Sequence, residues 1–272
     1  IEKIMPLIPK TYTDLIEDIN AKGYAQLSGT IKGILSDTIT PVVTANIIYQ
    51  KGEIKYIDYP TVNDIQLSMS TVVDMNKNQD SYITINNSSG IIENSTVSVT
   101  GNISNILEEP IYDIHAHGKL VLSDFESFIP SNQNIIVQGT VDGNLHLQFS
   151  QSDLNSEEYH RFHLTGSFNT QNINAIYNDT ITMKLPLAMV NLNLPGLSGG
   201  DKNLLFAKIK IDAPKLNINM SSAMGAVTQN LELSADINNL AKGTYAPISS
   251  IVFKLDNLYA TYDTLAVSAN NM

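Results

Sequence analysis

Polar and apolar residues alternate along most of this chain, and the clearest case lies at residues 111–130. Tyr112, Ile114, Ala116, Gly118, Leu120 and Leu122 fall on one face, while Asp113, His115, His117 and Lys119 fall on the other. A period of two describes a strand with one dry side and one wet side. Between Ser123 and Ile129 the period changes. Leu122, Phe125, Phe128 and Ile129 recur at roughly helical spacing, Ser123 or Asp124 can cap the segment, and Pro130 stops it. A longer alternating run follows, with Ile135, Val137, Gly139, Val141, Gly143, Leu145, Leu147 and Phe149 on one face. The spacing predicts a long strand, a short helical turn near 123–129, and a second long strand.

The same period recurs from end to end. Residues 25–33, 43–49, 54–56, 65–69, 82–85, 97–103, 162–168, 173–175, 181–185, 192–194, 205–211, 216–220, 231–237 and 251–255 read as strands, and with the two above they predict well over a dozen. Gln50-Lys51-Gly52-Glu53 reads as a hairpin turn, Asp74–Asp80 as a polar turn, Asn86–Gly90 as a loop, and Gln151–Glu158 as a polar loop. Pro214 separates two strands in this reading. One helix is expected, over 9–21: Tyr12, Leu15, Ile16 and Ile19 form an amphipathic stripe, and Gly23 stands where a C-cap belongs. Such a helix would cover an open end of the sheet.

Four segments resemble one another: Leu27-Ser-Gly-Thr-Ile-Lys-Gly33, Val97-Ser-Val-Thr-Gly-Asn-Ile103, Val137-Gln-Gly-Thr-Val-Asp-Gly143 and Phe162-His-Leu-Thr-Gly-Ser-Phe168. Each sets glycine inside an alternating strand on its apolar side, where glycine weakens the strand but lets the sheet bend. The run from Ile135 to Phe149 would span roughly 50 Å at ~3.3 Å per residue. Long strands that bend about an aliphatic face make a trough. The expected fold is therefore all-β: a long, strongly curved antiparallel sheet forming a trough or partly open barrel. Residues 1–150 form one such unit with the N-terminal helix, and 151–272 continue the same sheet.

Composition narrows the function classes. Charged residues are 16% and aromatics 7%, the formal net charge is −11, and Cys and Trp are both absent. That charge repels nucleic acid and makes an anionic bilayer a poor electrostatic partner. Without Cys there is no disulfide, no thiolate metal site and no Cys nucleophile. No apolar run reaches the 18 or more residues of a membrane-spanning helix, and no stretch reads as a signal peptide. The chain opens on Ile1 rather than Met, and the expectation is a piece of a longer protein whose anchor or targeting segment lies outside it.

Candidate chemistry is sparse. Gly196-Leu-Ser-Gly-Gly200 matches the nucleophile elbow G-x-S-x-G, but a strand-like run follows it instead of a helix, and all five histidines precede Ser198. It reads as a turn. His115 and His117 share a strand face at a spacing that can chelate a metal, with His160 and His163 as a looser pair. Their polar neighbours favour solvent-facing strand positions, and no native metal or cofactor is expected. No pair of carboxylates stands out as a glycosidase would require. The expectation is a protein without enzymatic activity.

Several stretches resemble the AsmA-like family. They are Leu7-Ile-Pro-Lys10 leading into the helix, Leu27–Gly33, Gly52-Glu-Ile-Lys-Tyr56 before Pro60, Gly101-Asn-Ile103, Pro110-Ile-Tyr-Asp-Ile114, Gly118-Lys-Leu120, Leu122-Ser-Asp-Phe125, Phe128-Ile-Pro130 and Gly139-Thr-Val-Asp-Gly143. The resemblance covers most of residues 5–150. It implies a periplasmic protein anchored in the inner membrane by a segment not present here. It also implies a repeating β-groove of the bridge-like lipid-transfer kind and a part in outer-membrane lipid homeostasis or assembly. The partner would be a phospholipid or another acyl-chain lipid. The candidate groove lining is Ile114, Leu120, Leu122, Val137, Val141, Leu145, Leu147 and Phe149, which share one face of the two longest strands. The competing expectation is a structural or interaction module of the envelope, with a filled β core and no ligand.

Overall fold

A computed structural model describes residues 19–36, 39–57, 59–129, 134–158, 161–195, 205–221, 223–238 and 248–270. Among them are fourteen strands: β1 (Ile19–Lys32), β2 (Val42–Tyr56), β3 (Val62–Val73), β4 (Tyr82–Ile92), β5 (Ser95–Ser104), β6 (Ile111–Val121), β7 (Ile135–Ser150), β8 (His163–Tyr177), β9 (Ile181–Pro195), β10 (Leu205–Asn219), β11 (Met224–Asn238), β12 (Ile248–Lys254), β13 (Asn257–Tyr262) and β14 (Leu265–Asn270). The fold is all-β and antiparallel. A 3₁₀ turn occupies Leu122–Phe128, where the change of period predicts it, and a five-residue helix α1 covers Gln151–Asn155 inside the expected polar loop. The helix expected over 9–21 falls mostly outside the described residues. Its last three expected positions, Ile19–Ala21, open β1 instead, and Gly23 lies within that strand.

The chain divides into two compact units. The first holds Ile1–His117 and Gln148–Leu154, the second Gly118–Leu147 and Asn155–Met272. In the first, β1 to β5 pair in chain order. In the second, β8 to β11 pair in chain order, and β11 then shares its length between two partners: Glu232–Ile237 pair with β12, Met224–Gln229 with β13. β14 closes on β13 through the two-residue turn at Asp263 and Thr264. Both units are open, since among the described residues β1 pairs with β2 alone and β14 with β13 alone.

Seven of the fourteen strands run 14 to 16 residues, several of them through positions that local sequence presents as ends. Lys51, Asp64, Asn172 and Asn230 have φ of 50°, 47°, 52° and 50°, the left-handed region. Each follows a side-chain amide and precedes a buried residue: Gln50-Lys51-Gly52, Asn63-Asp64-Ile65, Gln171-Asn172-Ile173 and Gln229-Asn230-Leu231. At Lys51 and Asp64 the left-handed residue adds one position and shifts the pairing by one, which is a β-bulge, whereas at Asn172 and Asn230 the register to the neighbouring strand is unchanged. The inward set then jumps by three instead of two. Inward positions run Tyr49 to Gly52 on β2, Thr170 to Ile173 on β8, Leu185 to Ala188 on β9, Ala213 to Leu216 on β10, and Thr228 to Leu231 on β11. The expected turn at Gln50–Glu53, the loop at Asn86–Gly90 and the break at Pro214 are accordingly bulges or irregularities inside β2, β4 and β10.

The device recurs in the two units. β2 and β8 carry the same succession of buried and exposed positions. Gly23, φ 137°, abuts the carbonyl of Lys51, and Gly139, φ 115°, abuts that of Asn172. Only glycine takes that backbone freely at such close approach.

Lys51 is the costly member of the set, because left-handed backbone disfavours an ordinary L-residue by about 1–2 kcal/mol and spares Asn much of that. Lys51→Asn, which reproduces Asn172, is therefore expected to stabilise the protein by about 1 kcal/mol. The check is a higher urea midpoint at unchanged slope. A lower midpoint would show that the lysine chain matters more than its backbone.

Candidate functional site

All eight candidate groove positions are half-buried. In the first unit, Phe149 stacks on Tyr112 with ring centroids 4.6 Å apart and planes 9° from parallel, and Ile114 lies against Gly101, whose missing Cβ would meet Ile114 Cδ1 at 2.8 Å. Tyr112 also donates its hydroxyl to Gln151 Oε1 at 2.7 Å. In the second unit, Leu120, Val137, Val141, Leu145 and Leu147 sit on strands, while Leu122 opens the 3₁₀ turn and so leaves the strand alternation one residue early. Of the alternate residues on β7, Ile136, Gln138, Asp142 and Asn144 are exposed, as alternation requires, whereas Thr140, His146 and Gln148 are half-buried. Leu145 reaches over Gly166, and the ring of Phe168 covers both Gly143 and Gly166. Phe168 thus joins the lining. Its signal was its place in the fourth glycine-bearing segment.

His115 and His117 are exposed on one face of β6, and His115 Nε2 lies 3.6 Å from Asp113 Oδ1. His146 and His163 are tilted neighbours with centroids 6.1 Å apart. His160 and the motif at 196–200 lie outside the described residues. Among the described residues two titrations are displaced, both for structural reasons. Burial raises the Tyr49 phenol, which donates to the carbonyl of Lys22. Hydrogen bonds from Ser152 lower the Glu109 carboxyl, which accepts from the Ser152 N–H at 2.8 Å where α1 begins.

A second feature was not anticipated. On β8 to β11 the irregularities fall in line. The register places Asn172 opposite Pro186 and Pro214 opposite Asn230, because Gln171 pairs Leu187, Ile173 pairs Leu185, Ala213 pairs Leu231 and Lys215 pairs Gln229. Proline has no N–H to give a ladder and a left-handed residue cannot hold ladder geometry, so each fits opposite the other. Between β9 and β10 pairing stops altogether after Met189–Asp212 and resumes at Lys184–Asn217 with the register intact. The line continues at Asp256, between β12 and β13, which accepts from Asn230 Nδ2 at 2.6 Å and donates its N–H to Gln229 O at 3.1 Å.

This seam carries a concavity of about 740 Å³. It is bounded by Asn169–Gln171 of β8, Leu187–Met189 of β9, Lys210 and Asp212–Pro214 of β10, and Asn230–Glu232 of β11. Leu187 and Met189 are 53% and 46% exposed at its wall. Lys210 Nζ lies 3.3 Å from Asp212 Oδ1, Asp212 stands opposite Glu232, and Glu232 opposite Lys254. Beneath it Ala188, Ala213, Leu231 and Leu255 form the buried cluster of this unit, with Leu185, Ile211, Leu216, Leu233 and Leu258 packed against them.

The arrangement offers apolar surface and exposed charge pairs of both signs. No protein-family model matches the chain, and no curated protein and no solved structure matches it.

Proposed function

We propose that this chain is a non-enzymatic lipid-binding or lipid-transfer segment of an AsmA-like protein of the periplasm, anchored to the inner membrane by a segment outside it and serving outer-membrane lipid homeostasis or assembly. The observation that supports the reading is the state of its apolar faces. Among the described residues eight apolar side chains are buried, whereas thirty large hydrophobic ones are exposed. A filled β core would reverse that ratio. The eight groove positions are all partly exposed, and each leaves on the order of 0.5 kcal/mol of burial unrealised. An acyl chain, at about 0.8 kcal/mol per buried CH₂, is the ligand whose chemistry matches such a surface.

Native mass spectrometry with lipid extraction on the purified protein tests this directly. Stoichiometric phospholipid or fatty acid is the expected result. A clean ligand-free protein that also takes up no fluorescent lipid would overturn it and leave the structural envelope module.

A further inference from the structure

We propose that the hairpin ends of β8–β9, β10–β11 and β13–β14 form a rim by which the second unit docks on the surface of a zwitterionic lipid bilayer, a contact separate from the binding of acyl chains by its apolar faces.

The three connections are short, at 178–180, 220–223 and 263–264. Register gathers the large apolar side chains beside them into one row. Tyr177 pairs with Ile181, Met224 with Tyr262, and Tyr262 with Leu265. The pair Thr182–Asn219 brings Ile181 level with Met220, whose N–H donates to Met224 O at 2.8 Å. Residues directly opposite each other in an antiparallel ladder project from the same face, so the row stands on one side of the sheet. All six side chains are exposed, from 37% at Met224 to 69% at Leu265. Behind the row the same face is covered step by step. Met183, Ile218 and Ala226 are half-buried, and Leu185, Leu216 and Leu258 after them pack against the buried cluster. The rim is also held in place. Asp263 N–H donates to Ala223 O at 2.8 Å, which ties one connection to the next, and Met224 N–H donates to Ser221 Oγ at 3.1 Å.

Six large side chains about half exposed present on the order of 500 Å², a size at which an apolar patch on a monomer is commonly a contact surface. Doubled across a two-fold axis it gives about 1,000 Å², the least that a specific dimer uses. Charge decides against a second copy. The charged residues of the three connections are Asp179 and Asp263, one at each end of the row. A two-fold pairing reverses the row on itself and sets Asp179 of one copy against Asp263 of the other, like charges in a contact that excludes water. A bilayer imposes no such match. Side chains stand roughly perpendicular to a sheet, so the row can enter the acyl boundary while the connections stay among the headgroups. There the carboxylates meet the ammonium of phosphatidylcholine or phosphatidylethanolamine, and the hydroxyls of Tyr177 and Tyr262 stay wet, as tyrosines at such interfaces do. An anionic surface would repel both aspartates.

Co-sedimentation of the whole chain with phosphatidylcholine vesicles tests the contact. Met220→Glu and Leu265→Glu change the rim, and Leu27→Glu, at a position equally exposed at 69% on β1 of the first unit, is the control. Vesicle affinity lowered at least tenfold by each rim variant and unchanged by Leu27→Glu is the expected result, with circular dichroism to establish folding. No binding of the unaltered protein, or an equal loss in Leu27→Glu, overturns the docking. A dimer of the unaltered protein that Leu265→Glu splits overturns it too and assigns the rim to a second copy. Tighter binding to vesicles containing phosphatidylglycerol rejects the zwitterionic surface. Lipid extraction of the protein before it meets vesicles keeps the two readings apart. Bound lipid without docking removes the rim alone, and docking by a protein that carries no lipid sustains the rim and removes the lipid-binding reading.

Discussion

Val141→Glu and Leu145→Glu are each expected to strip lipid from the purified protein while leaving it folded. Both positions are half-buried on the apolar side of β7 in the second unit, and their neighbours Asp142 and Asn144 are exposed on the other side. In the ligand-free protein a new carboxylate there can still reach water, so the cost to folding is modest. An acyl chain laid over it removes that water. Placing an ionised group against hydrocarbon costs about 2.5–3.5 kcal/mol even where it can partly escape to solvent. At 1.4 kcal/mol per tenfold, that is a loss of affinity on the order of a hundredfold. Asp142→Asn, on the opposite face of the same strand, is the control and should leave lipid content unchanged. The measurement is lipid per protein by native mass spectrometry, with circular dichroism to establish folding. A folded Val141→Glu protein that retains its lipid would remove the apolar face of β7 from the binding surface.

The contrast between faces is the part of the fold that the sequence makes legible. Along β6 and β7, Lys119, Asp142 and Asn144 are exposed and Leu120, Val141 and Leu145 half-covered, as a period of two requires. The helical turn at 122–128 is equally legible, because Phe125 and Phe128 break that period before Pro130. What escapes is continuity. Ile209 and Ile211, then Leu216 and Ile218, read as two strands with Pro214 between them, yet β10 runs through all of them. The residues that tolerate left-handed backbone or lack an N–H are the same in a chain reversal and in a bulge. Only the partner strand distinguishes the two. Asn172 faces Pro186 and Asn230 faces Pro214, and those pairings lie 14 and 16 positions apart in the sequence. For the same reason the seam concavity, built from four strands, has no signature in any one of them. β13 and β14 escape for a different reason. They are six residues each, and Tyr259, Tyr262, Leu265 and Val267 stay more than half exposed, which leaves Leu258 as the large side chain packed inward and the pattern weak.

The glycine-bearing segments give the second large effect, and it concerns stability. Gly143→Ala is expected to destabilise the protein by about 3 kcal/mol, the upper range for forcing volume into a packed site. A Cβ on Gly143 would stand 2.4 Å from the carbonyl oxygen of Ser167 and 2.9 Å from Cα of Phe168, both of them backbone of the neighbouring strand. Neither can yield without parting β7 from β8. Gly29 meets the carbonyl oxygen of Thr44, and Gly101 that of Asp113, at the same 2.4 Å. Three of the four resembling segments thus use glycine for one purpose, to let the next strand come closer than a side chain permits. Gly101→Ala should therefore fail in the first unit as Gly143→Ala does in the second. Gly225→Ala is the informative comparison. Its nearest obstacle is Asn219 Oδ1 at 2.7 Å, the free end of a side chain, with backbone no closer than 3.3 Å. The amide can swing aside, and alanine restricts the unfolded chain, so that variant should lie within about 1 kcal/mol of the unaltered protein. Urea denaturation of the three variants side by side decides the matter. Equal midpoints for Gly143→Ala and Gly225→Ala would mean that glycine is kept in these strands for something other than close approach.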